Sequence, residues 1–200
     1  EVDDIMNLKK KALNPYKSVA SCCVWPKFVN LLKKDLEVGG IKICTVLNFP
    51  NGELRFKDIK SEIENTINDG VDEIDFVIPY KSILKGDFKP FEEIILNFKN
   101  CDIINKNNIP LKAIIETGEL KTNKLIRKTS SFLAENNINF IKTSTGKVKI
   151  NATPQFAEII LDTIKSLKKE NIVGLKVSGG IKTINEAMIY LDLYKNIMGE

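Results

Sequence analysis

The sequence predicts an α/β chain built on a parallel sheet, and three observations carry that prediction. Apolar residues at helical spacing alternate along the whole chain with short apolar runs of strand length. Those runs lack the polar–apolar alternation of a half-exposed sheet, as expected when helices cover both faces. Strand starts recur at intervals of about 23 to 38 residues, the spacing of βα units.

The elements follow in order. Ile5, Leu8 and Ala12 share one helical face, and Asn14-Pro15 is expected to end that helix. A strand over 18–25, closed by Pro26, precedes a helix carried by Phe28, Leu31, Leu32 and Leu36 and stopped by Gly39-Gly40. Residues 41–47 read as the next strand. Ile59, Ile63 and Ile67 form an i, i+4 stripe that Gly70 ends, before a strand over 73–78. Phe91, Ile94, Ile95 and Phe98 mark a longer helix, and a strand over 111–115 follows Pro110. Thr122 is placed to cap a helix with Leu125, Ile126 and Phe132 on its buried side, and a strand over 140–143 comes next. Thr153-Pro154 joins a capping residue to a first-turn proline, ahead of Phe156, Ile159, Ile160, Ile164 and Leu167. The last strand spans 174–178, and Thr183-Ile184-Asn185-Glu186 has capping-box spacing at the start of the final helix. Seven helices thus alternate with six strands.

Composition narrows the chemistry. The chain has 200 residues, 43% of them hydrophobic and 28% charged, as in an ordinary globular domain. No apolar run approaches the roughly 20 residues that span a bilayer, and Glu1-Val2-Asp3-Asp4 lacks the basic-then-apolar shape of a signal peptide, so a soluble, cytoplasmic protein is expected. Cys22, Cys23, Cys44 and Cys101 form no C-x-x-C pair, which argues for reduced thiols rather than a zinc knuckle or a disulfide framework. Histidine is absent, which excludes a Ser-His-Asp triad, a Cys-His pair and an H-E-x-x-H zinc helix. The net charge of +4 comes almost wholly from dispersed lysines, with Arg55 and Arg127 the only arginines. That pattern argues against nucleic acid, and an anionic small molecule fits better.

The informative residues are the charges at strand centres. Asp75, Lys112, Lys142 and Lys176 each lie among apolar neighbours in four consecutive strands. A single such lysine is usually a snorkelling or strand-end residue, and the quartet as a whole could be an ion network that only holds the fold together. An open sheet covered on both faces has no room for three ammonium groups, whereas alternate residues of a barrel point into a lumen with a polar mouth. The charges therefore favour a barrel. Alternation puts Lys112, Ile114 and Glu116 on one face, Lys142 with Ser144, and Lys176 with Ser178. Lys142 stands out as an amine nucleophile: burial and a neighbouring Lys176 both disfavour protonation, an effect expected to lower its pKa towards roughly 7 to 8. Asp75 is then a counter-charge or proton carrier.

Two glycine-bearing loops follow the last two strands. Ser144-Thr145-Gly146-Lys147 lacks the upstream glycine of a Walker loop, and Val148 stands where that motif needs Ser or Thr. Gly179-Gly180-Ile181-Lys182 precedes the capped final helix, whose free N–H groups suit an anion. Plain turns are the commoner use of such glycines. Two loops at the carboxyl ends of neighbouring late strands nonetheless match the usual barrel phosphate site.

These blocks carry a resemblance. Residues 115–121 (IETGELK), 140–147 (FIKTSTGK), Asn151-Ala152-Thr153-Pro154 and Lys176 with Gly179-Gly180 resemble the 2-deoxy-D-ribose-5-phosphate aldolases. Asn48-Phe49-Pro50 and Asp72-Glu73-Ile74-Asp75 support it, and the similarity covers nearly the whole chain. The resemblance implies a metal-independent, cofactor-free class I aldolase on a TIM barrel. Its substrate would be a phosphorylated sugar, 2-deoxy-D-ribose 5-phosphate, cleaved to D-glyceraldehyde 3-phosphate and acetaldehyde in deoxyribonucleotide catabolism. It makes Lys142 the Schiff-base lysine, Lys176 the lysine that perturbs it and Asp75 the aspartate of the proton relay. Lys112 corresponds to a further lysine in the site, Gly146, Lys147, Gly179 and Gly180 to phosphate-binding positions, and Cys23 to a cysteine near the pocket. Val177-Ser178 replaces the family's Pro-Ala. The family's first strand, with its Asp-x-Thr segment, and its last βα unit, with its Phe-Gly-x-Ser loop, have no counterpart, so residues 1–200 form one domain supplying strands two to seven. A homodimer or homotetramer is open, with no nucleic acid and no membrane as partner. A transaldolase-like Schiff-base aldolase and a non-catalytic phosphosugar-binding barrel are the competing readings.

Overall fold

The computed structural model describes residues 1–13, 18–37 and 39–199. Six strands, β1 (Ser21–Val24), β2 (Lys42–Leu47), β3 (Glu73–Val77), β4 (Leu111–Ile114), β5 (Phe140–Lys142) and β6 (Gly174–Lys176), pair in sequence order. Every pairing is parallel. The sheet curls into a half-barrel rather than lying open. All five residues of β3 and all four of β4 are buried, while β6 at the edge is half-buried throughout.

The helices are α1 (Val2–Ala12), α2 (Val29–Glu37), α3 (Phe56–Asn68), α4 (Tyr80–Leu84), α5 (Lys89–Lys99), α6 (Asp102–Lys106), α7 (Thr117–Leu120), α8 (Asn123–Glu135), α9 (Pro154–Ser166) and α10 (Ile184–Met198). Seven of these are the helices expected from periodicity. The other three, α4, α6 and α7, have four or five residues each, too few for an apolar period to show. The expected first strand is also trimmed: pairing with β2 begins at Ser21, and Trp25 already caps a 3-10 turn over Pro26–Phe28. The expected helix stop at Asn14-Pro15 lies outside the described residues.

Outward-facing strand residues bury against the helices. Phe76 of β3 stacks on Phe98 of α5 with centroids 4.0 Å apart, and Phe56 of α3 meets the same ring edge-on at 5.1 Å. The helices α3, α6, α8 and α9 end the same way before a strand. Gly70, Asn108, Asn137 and Lys168 all take positive φ, and the residue after each donates back five positions, as in Val71 N to Thr66 O and Lys169 N to Ile164 O. Such a turn reverses the chain in few residues, and after Gly70, Asn108 and Asn137 the strand starts three residues later.

Candidate active site

Parallel pairing stacks the charged strand residues in register. Asp75 faces Lys112 across β3 and β4, and Lys142 faces Lys176 across β5 and β6. Gly174, in register with Phe140, has no side chain because the Phe140 ring occupies the place: a Cβ there would lie 2.5 Å from it. All four charges meet on the concave side. Asp75 Oδ2 lies 2.6 Å from Lys142 Nζ and 2.7 Å from Lys176 Nζ, and Oδ1 lies 3.2 Å from Lys112 Nζ.

The three lysines form a depth series. Lys112, 5% exposed at its side chain, is the deepest and also donates to Glu73 Oε2 at 2.7 Å. Lys142 is 8% exposed and Lys176, nearest the mouth, 27%. Burial alone would raise the Asp75 pKa, but Lys142, Lys176 and Lys112 together hold it well below the usual carboxylate range. Burial also opposes the charge on Lys176, and negative partners including Asp75 outweigh it, so its pKa is raised. The expected meeting of Lys142 and Lys176 is present, with one difference. A carboxylate oxygen sits between the two ammonium groups, so their repulsion is met by a negative charge rather than left bare. Counting formal charges, three lysines face two carboxylates, an excess of one positive charge that suits an anionic ligand.

The loops beyond β5 and β6 are stitched together. Thr143 Oγ1 donates to Ser178 O at 3.1 Å and accepts from Ser178 N at 3.0 Å, while Ser178 Oγ donates to Ser144 O at 2.5 Å. Gly146 and Gly180 are exposed at the mouth, with Lys147 beside Gly146. The N–H groups at the start of α10 are less free than the sequence suggests. Glu186 Oε2 accepts from Lys182 N and Thr183 N, and Thr183 Oγ1 accepts from Glu186 N, completing the capping box.

Three further residues at the site take no role from the sequence, although alternation places Glu116 on the face of Lys112. Glu73 lies two residues before Asp75, on the same strand face, a signal alternation alone could have supplied. Cys44 donates to Asp75 Oδ1 at 3.0 Å and lies 3.5 Å from Lys112 Nζ, a contact only cross-strand register reveals. Glu116, fully buried with φ of 50°, turns back between β4 and α7 so that its carboxylate accepts from Thr145 N at 3.3 Å and Thr145 Oγ1 at 2.5 Å. It anchors the loop that follows Lys142. Next to it, Gly118 admits the 148–151 segment, since a Cβ there would lie 1.8 Å from Ile150 O. Among the described residues, Cys23, Cys44 and Asp75 are a set with metal-ligand spacing, their ligand atoms within 4.8 Å of one another. Three ammonium groups around Asp75 make that spot unfavourable for a cation.

The profile of the DeoC/LacD family aldolases matches residues 1–196. The chain belongs to this family. It is an aldolase, and therefore a carbon–carbon lyase. The aldolase is similar to a curated deoxyribose-phosphate aldolase of Agrobacterium fabrum, 40% identical over 195 residues that cover 97% of this chain and 73% of the relative. Two solved structures share its fold. One, from Toxoplasma gondii and assigned as a deoxyribose-phosphate aldolase, has a TM-score of 0.85 at 24% identity, covering 100% of this chain and 78% of that one. The other, a deoxyribose phosphate aldolase from Aeropyrum pernix described as a unique tetrameric structure, has a TM-score of 0.81 at 20% identity, covering 96% and 77%. None of the described helices of the aldolase is long and apolar enough to cross a membrane.

Proposed function

We propose that this aldolase reversibly cleaves 2-deoxy-D-ribose 5-phosphate to D-glyceraldehyde 3-phosphate and acetaldehyde, through a Schiff base on Lys142. The observation that carries the reading is the contact of Lys142 and Lys176 with one oxygen of a fully buried Asp75. The name of the Agrobacterium fabrum relative supports the substrate. As a free amine, Lys142 adds to the sugar aldehyde and water leaves, giving an iminium. Loss of the C3 hydroxyl proton breaks the C2–C3 bond, the electron pair moves to the iminium, and glyceraldehyde 3-phosphate departs from an enamine. Asp75 with a water at the mouth carries the proton that C2 takes up, and hydrolysis frees acetaldehyde and Lys142. Lys112 with Glu73 holds Asp75 from below. Gly146, Lys147, Gly179 and Gly180 receive the phosphate. A role in deoxyribonucleotide catabolism, a cytoplasmic setting, a homodimer or homotetramer, and a single domain corresponding to strands two to seven complete the proposal.

Borohydride reduction with acetaldehyde, followed by peptide mass mapping, tests it. A stable adduct on Lys142, lost in Lys142→Leu and weakened in Lys176→Leu, is expected. Trapping with dihydroxyacetone in place of acetaldehyde would move the assignment to a transaldolase-like donor. No adduct with either, or activity abolished by EDTA, overturns the Schiff-base reading.

A further inference from the structure

Cys23 and Cys44 take no part in the chemistry proposed above, yet the fold places them together. They are direct partners in the β1–β2 ladder. Neighbouring strands run about 4.8 Å apart, inside the Cα separation of about 4.4–6.8 Å that a disulfide spans. Their sulfur atoms lie within 4.8 Å of each other and of an Asp75 carboxylate oxygen. The two thiols differ in setting. Cys23 is exposed on the edge strand, and Cys44 is fully buried. Cys22 and Cys101, by contrast, are packed in the hydrophobic core.

We propose that Cys23 and Cys44 form a peroxide-responsive thiol pair, oxidised reversibly to a cross-strand disulfide that disables the Asp75 site. The Cys23 thiolate attacks one peroxide oxygen, the O–O bond breaks, and water leaves after taking up a proton, giving a sulfenic acid on Cys23. The Cys44 sulfur then attacks the Cys23 sulfur, a second water departs carrying the Cys44 proton, and the disulfide remains. Peroxide is the oxidant: its two oxygens leave as water while two thiols lose two electrons.

An accessible thiol with depressed pKa beside a resolving cysteine is the usual setting for such chemistry. The neighbouring Cys44 side chain pulls Cys23 down to about 7, and Lys142 and Lys176 help, against burial and the Asp75 charge. The same interaction and burial push Cys44 up, so the pair divides into attacking and resolving members. Side chains on paired parallel strands stay apart by about the strand spacing, wider than the mean Cβ separation of about 3.8 Å in disulfides. The bridge is accordingly easily reduced, as a reversible device requires.

Oxidation reaches the active site through one atom. Cys44 donates its thiol hydrogen to Asp75 Oδ1 at 3.0 Å, and a disulfide sulfur has none to donate. Asp75 loses that donor while Cys44 is drawn towards β1. The effect on activity rests on the role proposed for Asp75, whereas the bridge itself does not.

The full chain is treated with hydrogen peroxide, the remaining thiols are alkylated, and peptides are mapped without reduction. A Cys23–Cys44 linked peptide that dithiothreitol releases is expected, with Cys22 and Cys101 alkylated. Cys44→Ser should leave a Cys23 sulfenic acid that dimedone traps, and Cys23→Ser, at an exposed position, should abolish the linkage without disturbing the core. Cleavage of 2-deoxyribose 5-phosphate should fall at least tenfold on oxidation and return on reduction. A link through Cys22 or Cys101, or irreversible sulfinic acid on Cys23 with no link, overturns the proposal. A bridge without loss of activity overturns its regulatory part, and acetaldehyde trapping on Lys142 of the reduced chain tests the catalytic reading separately.

Discussion

Removing the negative charge of Asp75 leaves three ammonium groups facing one another across a few ångströms. Asp75→Asn keeps the shape and should cost about 3–5 kcal/mol of stability, as removing one partner of a buried ion pair does, together with most of the activity; urea unfolding and aldolase assays check both. The carboxylate also sets the acid limit. Its folded pKa lies below its unfolded value near 3.9, so its contribution is present above about pH 4 and is lost as acid protonates it. Urea midpoints should fall progressively as pH drops below about 4, and Asp75→Asn should lack that component. Glu116 has the opposite sign. Burial raises its pKa, so its contribution is full below about 4.3 and fades as pH rises through the folded value. Measured against Glu116→Gln, the parent chain should lose relative stability as pH rises from about 4.3. Asp75, Lys112, Lys142 and Lys176 were legible in the sequence because a charge within an apolar run is conspicuous. Cys44 was not, because only strand register shows what it touches, whereas Glu73, two residues before Asp75, could have been found by alternation.

The helix ends show the same division between local signals and tertiary ones. Thr122, Thr153 and Thr183 cap α8, α9 and α10 with their hydroxyl oxygens, as spacing alone indicated. The C-terminal turns were harder. Gly70 announces a left-handed residue, but Asn108, Asn137 and Lys168 adopt the same conformation under pressure from the strand that must follow. Lys168 is exposed and bears a Cβ where the backbone favours none. Lys168→Gly should therefore stabilise the chain by about 0.5–1 kcal/mol, read as an upward shift in the urea midpoint at unchanged slope. The short helices α4 and α7 follow β3 and β4 directly and shape the rim of the site, yet with four or five residues they leave no periodic trace.

For the molecule as a whole, alternation of helices and strands identified the fold class, and charges on consecutive strands chose a barrel over an open sheet, because only a lumen accommodates them. The way the curved sheet distributes stability was not legible, since it depends on which strands are central. Amides of β3 and β4, buried along their length, should be the slowest to exchange with deuterium, and those of β6 and of α10, which has no buried residue, the fastest among the regular elements. Equal rates across the sheet would show that it opens only as one unit. In the proposed Schiff-base cycle, the single Asp75 oxygen shared by Lys142 and Lys176 serves more than the resting state. An iminium carries the same positive charge as the ammonium it replaces, so the aspartate that steadies the resting lysine is already suited to the covalent cation. In the uncharged stages of that cycle, Lys176 remains as its companion, so the aspartate keeps a positive partner throughout.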